Sequence, residues 1–346
     1  MTFTRIFLLF SLFLFIGCSP KPSAYHQQLL VFGTIVDIKL WGVKEKEGQQ
    51  VVARLAEDFK YMHRAWHAWE DGPTARTNFY IANGKPLTGP PSVIPLIKRS
   101  TELSKLSGGL FNPAIGNLIA LWGFASDDPP KGPPPSPEAI RALLDQQPSM
   151  ENVSVEGVTV GSTNPAVKLN FGAFAKGYAV DRAIDVLREA GIQHAVVNAG
   201  GDLRAIGQHG QRPWRVGVRH PRQEGILASV ETTQDESIFT SGDYERYFDW
   251  QGKRYDHIID PRSGYPAEGL SSVTVFADQA DLADAAATAL FVAGPSNWLP
   301  VARAMGIKGA MLVDEQGTVQ ITPGIRSRIH FDTSPPPTII VSEALR

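Results

Sequence analysis

The run Tyr255-Asp256-His257-Ile258-Ile259-Asp260-Pro261-Arg262-Ser263-Gly264-Tyr265-Pro266 sets a histidine between a strand and a turn. Tyr255 to Ile259 is a β-type stretch. The residues after it make turns for separate reasons: proline presets φ, glycine tolerates positive φ, and aspartate and serine bond nearby backbone. His257 therefore stands where regular structure leaves the body of a domain. Just upstream, Thr240-Ser241-Gly242-Asp243 reads as a hydroxyl-bearing loop. Just downstream, Ala280–Val292 reads as a helix on which Asp284 and Thr288, four apart, share one face. An imidazole, hydroxyls and hard oxygen donors gathered this closely suit phosphoryl or nucleotidyl chemistry better than plain packing.

Working outward, the C-terminal half is expected to hold strands around Trp214–Arg219, Ala228–Thr232, Arg254–Ile259 and Ser271–Phe276. A last helix (Asn297–Met305) and strand (Ala310–Val313) follow, and the Pro335–Pro337 run begins a tail. Upstream, Ala175–Ala190 is a helix stopped by Gly191, Ala195–Asn198 a strand, and Ala199-Gly200-Gly201-Asp202 a tight turn. Val167–Phe171 is expected as a short strand. Leu29–Trp41 alternates, with Val36, Ile38 and Leu40 on one face and Asp37 and Lys39 on the other, which predicts one half-buried strand. Gln49–Trp66 is an amphipathic helix with Val52, Leu55, Phe59 and Met62 in one stripe. Glu70–Asn78 reads as a polar loop, and Ser92–Leu106 as a helix with Ser92 as N-cap and Gly108 as stop. Asp127–Pro137, with six prolines, is an extended surface loop, after which Ser136-Pro137-Glu138 restarts a helix. Strands and helices mix without strict βαβ alternation, so the fold class is α+β, one domain over residues 29–331 with a tail at 332–346.

The N-terminus has targeting character. Arg5 precedes an apolar run, Ile6–Ile16, too short to span a bilayer as a mature helix but of signal-peptide length. It ends Phe15-Ile16-Gly17-Cys18, and Cys18 is the only cysteine, so no intrachain disulfide forms. A small residue followed by cysteine resembles the lipobox of bacterial lipoproteins, in which that cysteine is acylated; Phe15 stands where leucine is usual. The alternative is ordinary cleavage near Gly17. On the first reading residues 1–17 are a signal peptide, 18–28 a lipidated tether, and the protein faces the periplasm from a membrane. The formal charge of −2 gives no electrostatic reason to expect nucleic acid as a partner.

Four patterns bear on chemistry. In Asn170-Phe171-Gly172-Ala173-Phe174-Ala175-Lys176-Gly177-Tyr178 a strand ends and a helix begins with Lys176 in its first turn, an arrangement that favours an anion unless the lysine is merely solvated. The Walker spacing is absent. Asp284 with Thr288 is either a partial Mg²⁺ shell or a solvated helix face, and Asp281 reads as a first-turn helix carboxylate. His257 is structural or catalytic, with Asp256 and Asp260 as neighbours able to orient it. Asn198-Ala199-Gly200-Gly201-Asp202 reads as a backbone turn packed close to the site, since no dinucleotide spacing is present.

In this order the motifs resemble one family, the FAD:protein FMN transferases of ApbE type. F-N-P-A-I-G with L-W-G-F, G-A-F-A-K-G-Y-A-V-D, N-A-G-G-D, T-S-G-D-Y, H-I-I-D-P-R-S-G and A-D-A-A-A-T-A-L carry the resemblance, from about Val31 to Val313. It implies a single flavin-transferase domain that uses FAD as substrate and Mg²⁺ as cofactor. Such a domain moves FMN onto a Thr or Ser of a partner protein, by analogy a membrane redox complex subunit. By position, the resemblance assigns the metal to Asp284, Thr288 and the carbonyl region of Ala173. It assigns FAD contacts to Phe32, Trp69, Leu110, Phe111, Asn112, Asn170, Lys176 and Ile259, and catalysis to His257. Phe32 stands where methionine is common, Asn170 where aspartate is usual, and Ala287 where some relatives add a carboxylate. As a base, His257 would give activity rising with pH through the ordinary histidine range, ~6.5. Two rival activities fit the same residues: Mg²⁺-dependent FAD hydrolysis to FMN and AMP, and flavin binding without turnover.

Overall fold

A computed structural model describes residues 24–345 apart from Asp127 and Pro129. Cys18 and the segment read as a signal peptide lie outside the described residues. The elements in order are β1 (Ala24–Val31), β2 (Thr34–Trp41), α1 (Glu45–Trp66), α2 (Pro73–Ala82), β3 (Leu87–Thr88), α3 (Ile94–Leu106), α4 (Gly116–Leu121), α5 (Pro137–Leu144), β4 (Val153–Glu156), β5 (Thr159–Ser162), α6 (Ala175–Glu189), β6 (Ala195–Ala199), β7 (Asp202–Ile206) and β8 (Arg215–Arg219). Then follow β9 (Ile226–Glu231), β10 (Asp235–Gly242), β11 (Tyr247–Trp250), β12 (Lys253–Asp256), β13 (Leu270–Ala277), α7 (Ala280–Met305), β14 (Gly309–Asp314), β15 (Val319–Ile321), α8 (Pro323–Arg326), β16 (Ile329–Phe331) and β17 (Ile339–Val341). Among the described residues no helix is long and apolar enough to cross a membrane.

One nine-stranded sheet runs β1-β2-β6-β7-β10-β13-β14-β15-β17, antiparallel except for the parallel β15–β17 pair. One face packs on α1, α6 and α7 around Ile38, Leu55, Phe59, Val197, Val273 and Leu290. The other face packs against a small sheet, β16-β9-β8, through Trp214, Val218, Ile238, Phe276 and Met311. β13 is covered on both faces and is buried at all its positions, which is why Leu270–Ala277 shows no polar alternation. A third cluster seats Trp122 and Phe124 against the β11–β12 hairpin. This mixture is the α+β class expected.

Several boundaries differ from the sequence reading. Leu29–Trp41 is two strands, β1 and β2, joined at Phe32-Gly33; both residues take positive φ (57° and 69°), the conformation a two-residue hairpin turn needs. Residues 24–28, read as tether, belong to β1. Glu70–Asn78 is not a loop, because α2 starts at Pro73. That helix lacks an apolar stripe since the face it buries is polar: Thr74 Oγ1 donates to Ala65 O, and Asn78 brackets the Leu169 backbone at both oxygen and nitrogen. Ser92 does not cap α3; the helix begins at Ile94 without a side-chain cap. Ser136 does cap α5, accepting from Ala139 N. Val167–Phe171 is an extended segment bridged to Ile115 through Lys168 rather than a strand. Thr240–Gly242 ends β10 instead of forming a loop. The tail read at 332–346 returns to the sheet as β17.

Candidate active site

Every residue that the family resemblance assigns to flavin, metal or catalysis lines one cavity of about 530 Å³, an ordinary size for a small-molecule site. The β1–β2 turn brings Phe32. The end of α1 leads to Trp69. The loop after α3 brings Leu110, Phe111 and Asn112, and the entry to α6 brings Asn170, Ala173 and Lys176. The segment after β12 brings His257 and Ile259, and α7 brings Asp284 and Thr288. The cavity thus opens where strand ends, turns and two helix starts converge.

α6 and α7 touch at Gly177. A Cβ there would collide with the Ala280 carbonyl and lie 2.8 Å from Asp284 Cβ. Without one, Gly177 N–H reaches Asp284 Oδ2 at 2.8 Å. No donor among the described residues lies on Asp284 Oδ1. Thr288 Oγ1, one turn on, meets Ser241 Oγ at 3.3 Å. Asp284 is buried, and burial pushes its carboxyl above the usual range, opposed by the Lys176 charge. Among the described residues no three His, Cys, Asp or Glu side chains cluster as a metal cage. One carboxylate with a hydroxyl and a nearby backbone segment fits a hard cation that keeps waters and substrate oxygens, as Mg²⁺ does. Ala287 is buried and adds no side-chain oxygen. Asp281 is engaged by Arg99 Nε at 2.7 Å, in keeping with its reading as a helix-start carboxylate.

Lys176 is not a free cation. It is bonded to Asp202, whose other oxygen accepts from Thr240 N at 2.7 Å. Burial alone would pull the ammonium down, but Asp202 and Asp284 outweigh it and hold Lys176 above the usual lysine range. Asp202 is a site residue that the sequence does not reveal: the Gly200-Gly201 turn packs near the site as expected, but a lysine–aspartate pair 26 residues apart leaves no local signal. Asn170 Oδ1 accepts from Gly172 N at 2.9 Å and shapes the turn into α6.

His257 sits beside the Arg246 carbonyl, which accepts its backbone N–H at 3.1 Å and lies 3.2 Å from Nδ1. A proton on Nδ1 donated to that carbonyl leaves Nε2 as a bare acceptor, the tautomer a base needs. The expected partners are engaged elsewhere: Asp256 Oδ1 accepts from Ile258 N, and Asp260 holds Arg262. Arg246 thus does the orienting assigned to the two aspartates. The histidine range expected for the ring is also corrected. Burial, the Arg246 charge and Lys176 pull it down to about 4, against the bond to the Arg246 carbonyl. Asp243 is occupied as well, by both guanidinium nitrogens of Arg222 at 2.6 Å.

These elements have counterparts in known proteins. The chain is 41% identical to the FAD:protein FMN transferase of Rhodobacter capsulatus over 90% of this chain and 59% of that one, so it spans about three fifths of that relative. It is 31% identical to the FAD:protein FMN transferase of Treponema pallidum over 90% of this chain and 91% of that one. The fold superposes on the ApbE protein of Thermotoga maritima with a TM-score of 0.80 at 31% identity, covering 88% of this chain and 99% of that one. For the flavinyl transferase ApbE of Pseudomonas stutzeri the TM-score is 0.76 at 29% identity, with 89% and 96% covered. The ApbE family model matches residues 32–311, from the turn at the cavity mouth to the strand behind α7, and the chain belongs to the ApbE family.

Proposed function

We propose that this protein is a Mg²⁺-dependent FAD:protein FMN transferase, placing FMN on a threonine or serine of a partner protein and releasing AMP. The observation that carries the reading is one cavity holding a base-competent His257, the buried Lys176–Asp202 pair and the oxygen donors Asp284 and Thr288. Names borne by relatives at 31–41% identity point the same way. Asp284, Thr288 and the Ala173 carbonyl would hold Mg²⁺, which supplies charge neutralisation at the pyrophosphate when bound. Lys176, at the start of α6, adds positive charge for the same phosphates. His257 Nε2 takes the acceptor hydroxyl proton as its oxygen bonds to the FMN-side phosphorus. The phosphorus–oxygen bond to AMP breaks, and AMP leaves with the electron pair.

The test is mass spectrometry of a candidate acceptor incubated with FAD and Mg²⁺. A covalent FMN adduct with equimolar AMP supports transfer. Free FMN and AMP without adduct would make water the acceptor, and FAD retained intact would leave a binding protein. The proposal includes a lipid anchor at Cys18 that holds the domain at a membrane facing the periplasm. Cys18→Ser should then move the protein out of the membrane fraction, and identical fractionation of both forms would remove the anchor from the reading.

A further inference from the structure

Beside the cavity lies a second groove of about 520 Å³, between the tip of the β1–β2 hairpin and α1. Phe32 and Gly33 line both, so the two hollows meet at the hairpin turn. One wall is the strand end, residues 30–32, of which Val31 and Phe32 pack on the α1 side. Leu30 is 86% exposed and its cross-strand partner Ile35 is 53% exposed, an open apolar pair on the sheet face away from α1, because Leu29, Val31, Val36 and Ile38 take the α1 face. The opposite wall is Glu57, Lys60 and Arg64, three and four apart on one helix face. Glu57 is bonded to Lys60 at 2.8 Å, and among the described residues no carboxylate comes within salt-bridge distance of Arg64, so this wall is net positive. β1 is also the end strand of the main sheet, and among the described residues nothing pairs with its outer backbone edge.

We propose that this groove docks the acceptor protein, as an extended segment alongside β1 that carries an apolar and an acidic side chain next to the hydroxyl residue. The inference rests on the transfer reading. An open strand edge offers main-chain hydrogen bonds to an extended peptide, while pockets beside it choose side chains. Alternate side chains of an extended segment turn to opposite faces, so a Leu-like residue meets Leu30 and Ile35 while its neighbour, a carboxylate, meets Arg64 on the α1 side. Passing over Phe32-Gly33, the next residues of the segment enter the cavity that holds His257.

The test uses the full chain with FAD, Mg²⁺ and synthetic ten-residue peptides, each with one central threonine. Flanking positions carry Leu or Ser, and Asp, Ser or Lys. FMN adducts are followed by mass spectrometry, FAD affinity by flavin fluorescence and association by sedimentation velocity. Wild type should label Leu/Asp peptides roughly tenfold or more faster than Ser/Lys peptides below saturation. Arg64→Glu should invert the Asp-over-Lys preference, and Leu30→Glu should abolish the Leu preference. Both variants should keep wild-type FAD affinity and near wild-type rates at saturating peptide. An Asp preference unchanged in Arg64→Glu overturns the proposal. So does a wild-type dimer that Leu30→Glu dissociates, because a second copy would then own the edge. FAD bound normally with no FMN on any peptide or protein would sink the transfer reading, and this inference with it.

Discussion

At His257 the protein holds a neutral imidazole by burial and by two nearby cations, with one carbonyl fixing its tautomer. His257→Asn keeps a hydrogen-bonding group but accepts no proton near neutral pH. Transfer should fall by ~10²–10⁴-fold with FAD affinity retained. Because only the neutral ring accepts a proton, activity rises with pH through its pKa. At saturating Mg²⁺ the acid limb of kcat/KM should therefore lie near about 4 and leave the neutral range flat. An anionic pyrophosphate beside the ring raises its pKa, so the limb of kcat should sit higher than that of kcat/KM. A kcat/KM limb at ~6.5 would contradict burial as the cause. At Asp284, asparagine can still accept from Gly177 N–H but carries no charge. Asp284→Asn should melt like wild type and need at least about tenfold more Mg²⁺ for half-maximal transfer. Chelation of wild type should abolish transfer, and an unchanged Mg²⁺ requirement in the variant would place the metal elsewhere.

Among the elements, the α6–α7 contact sets the site most directly. Alanine is favoured over glycine inside a helix by ~1 kcal/mol. At Gly177 that gain is opposed by overpacking against the Ala280 carbonyl, ~1–3 kcal/mol, and by disturbance of the bond to a buried carboxylate, of similar size. Gly177→Ala should thus lower unfolding stability by about 2 kcal/mol, read from the urea midpoint, and impair Mg²⁺ dependence together with it. A more stable variant would mean that the helices separate freely. α7 itself is two helices joined at Gly294, where φ 74° and ψ 174° break the helical path, so the separate runs Ala280–Val292 and Asn297–Met305 expected from sequence are both present.

On the scale of the whole molecule, the cavity draws on the main sheet from the β1–β2 turn to β10, while the C-terminal strand closes the far edge of that sheet. β17 covers β15, and Glu343 pairs with Arg303 at 2.9 Å. Removing residues 332–346 exposes that edge, and the melting temperature should drop while FAD affinity stays unchanged. Lost FAD binding at temperatures where the truncated chain is folded would show that the two ends are coupled. Asp256 sets a pH slope on stability. Burial raises it from 3.8 to about 7, so the folded chain keeps a proton that the unfolded chain releases. That stabilisation is full below 3.8 and is lost as pH rises through about 7. Asp256→Asn removes the slope, and its melting temperature relative to wild type should climb between pH 4 and pH 8. Parallel curves would mean that Asp256 titrates normally.

The sequence by itself determined the α+β class, the amphipathic helix that became α1 and the helix restart at Ser136, and through the family resemblance its ordered motifs carry it named the residues that meet in the cavity. Those features are written locally, as hydrophobic period, caps, turn glycines and ordered motifs. Tertiary structure alone decided what each site residue touches. Arg246 meets His257 as the next pair beyond the β11–β12 hairpin, a local pairing whose register the folded turn fixes. Asp202 reaches Lys176 only because a sheet strand and a helix start converge, and no spacing in the chain encodes that. The same holds for α2, whose buried face is threonine and asparagine satisfied by distant backbone, and for β17, whose partner lies in another strand. Hydrophobic pattern reports which face avoids water. Burial sustained by hydrogen bonds, and a pKa moved by neighbours brought from afar, become visible only once the chain has folded.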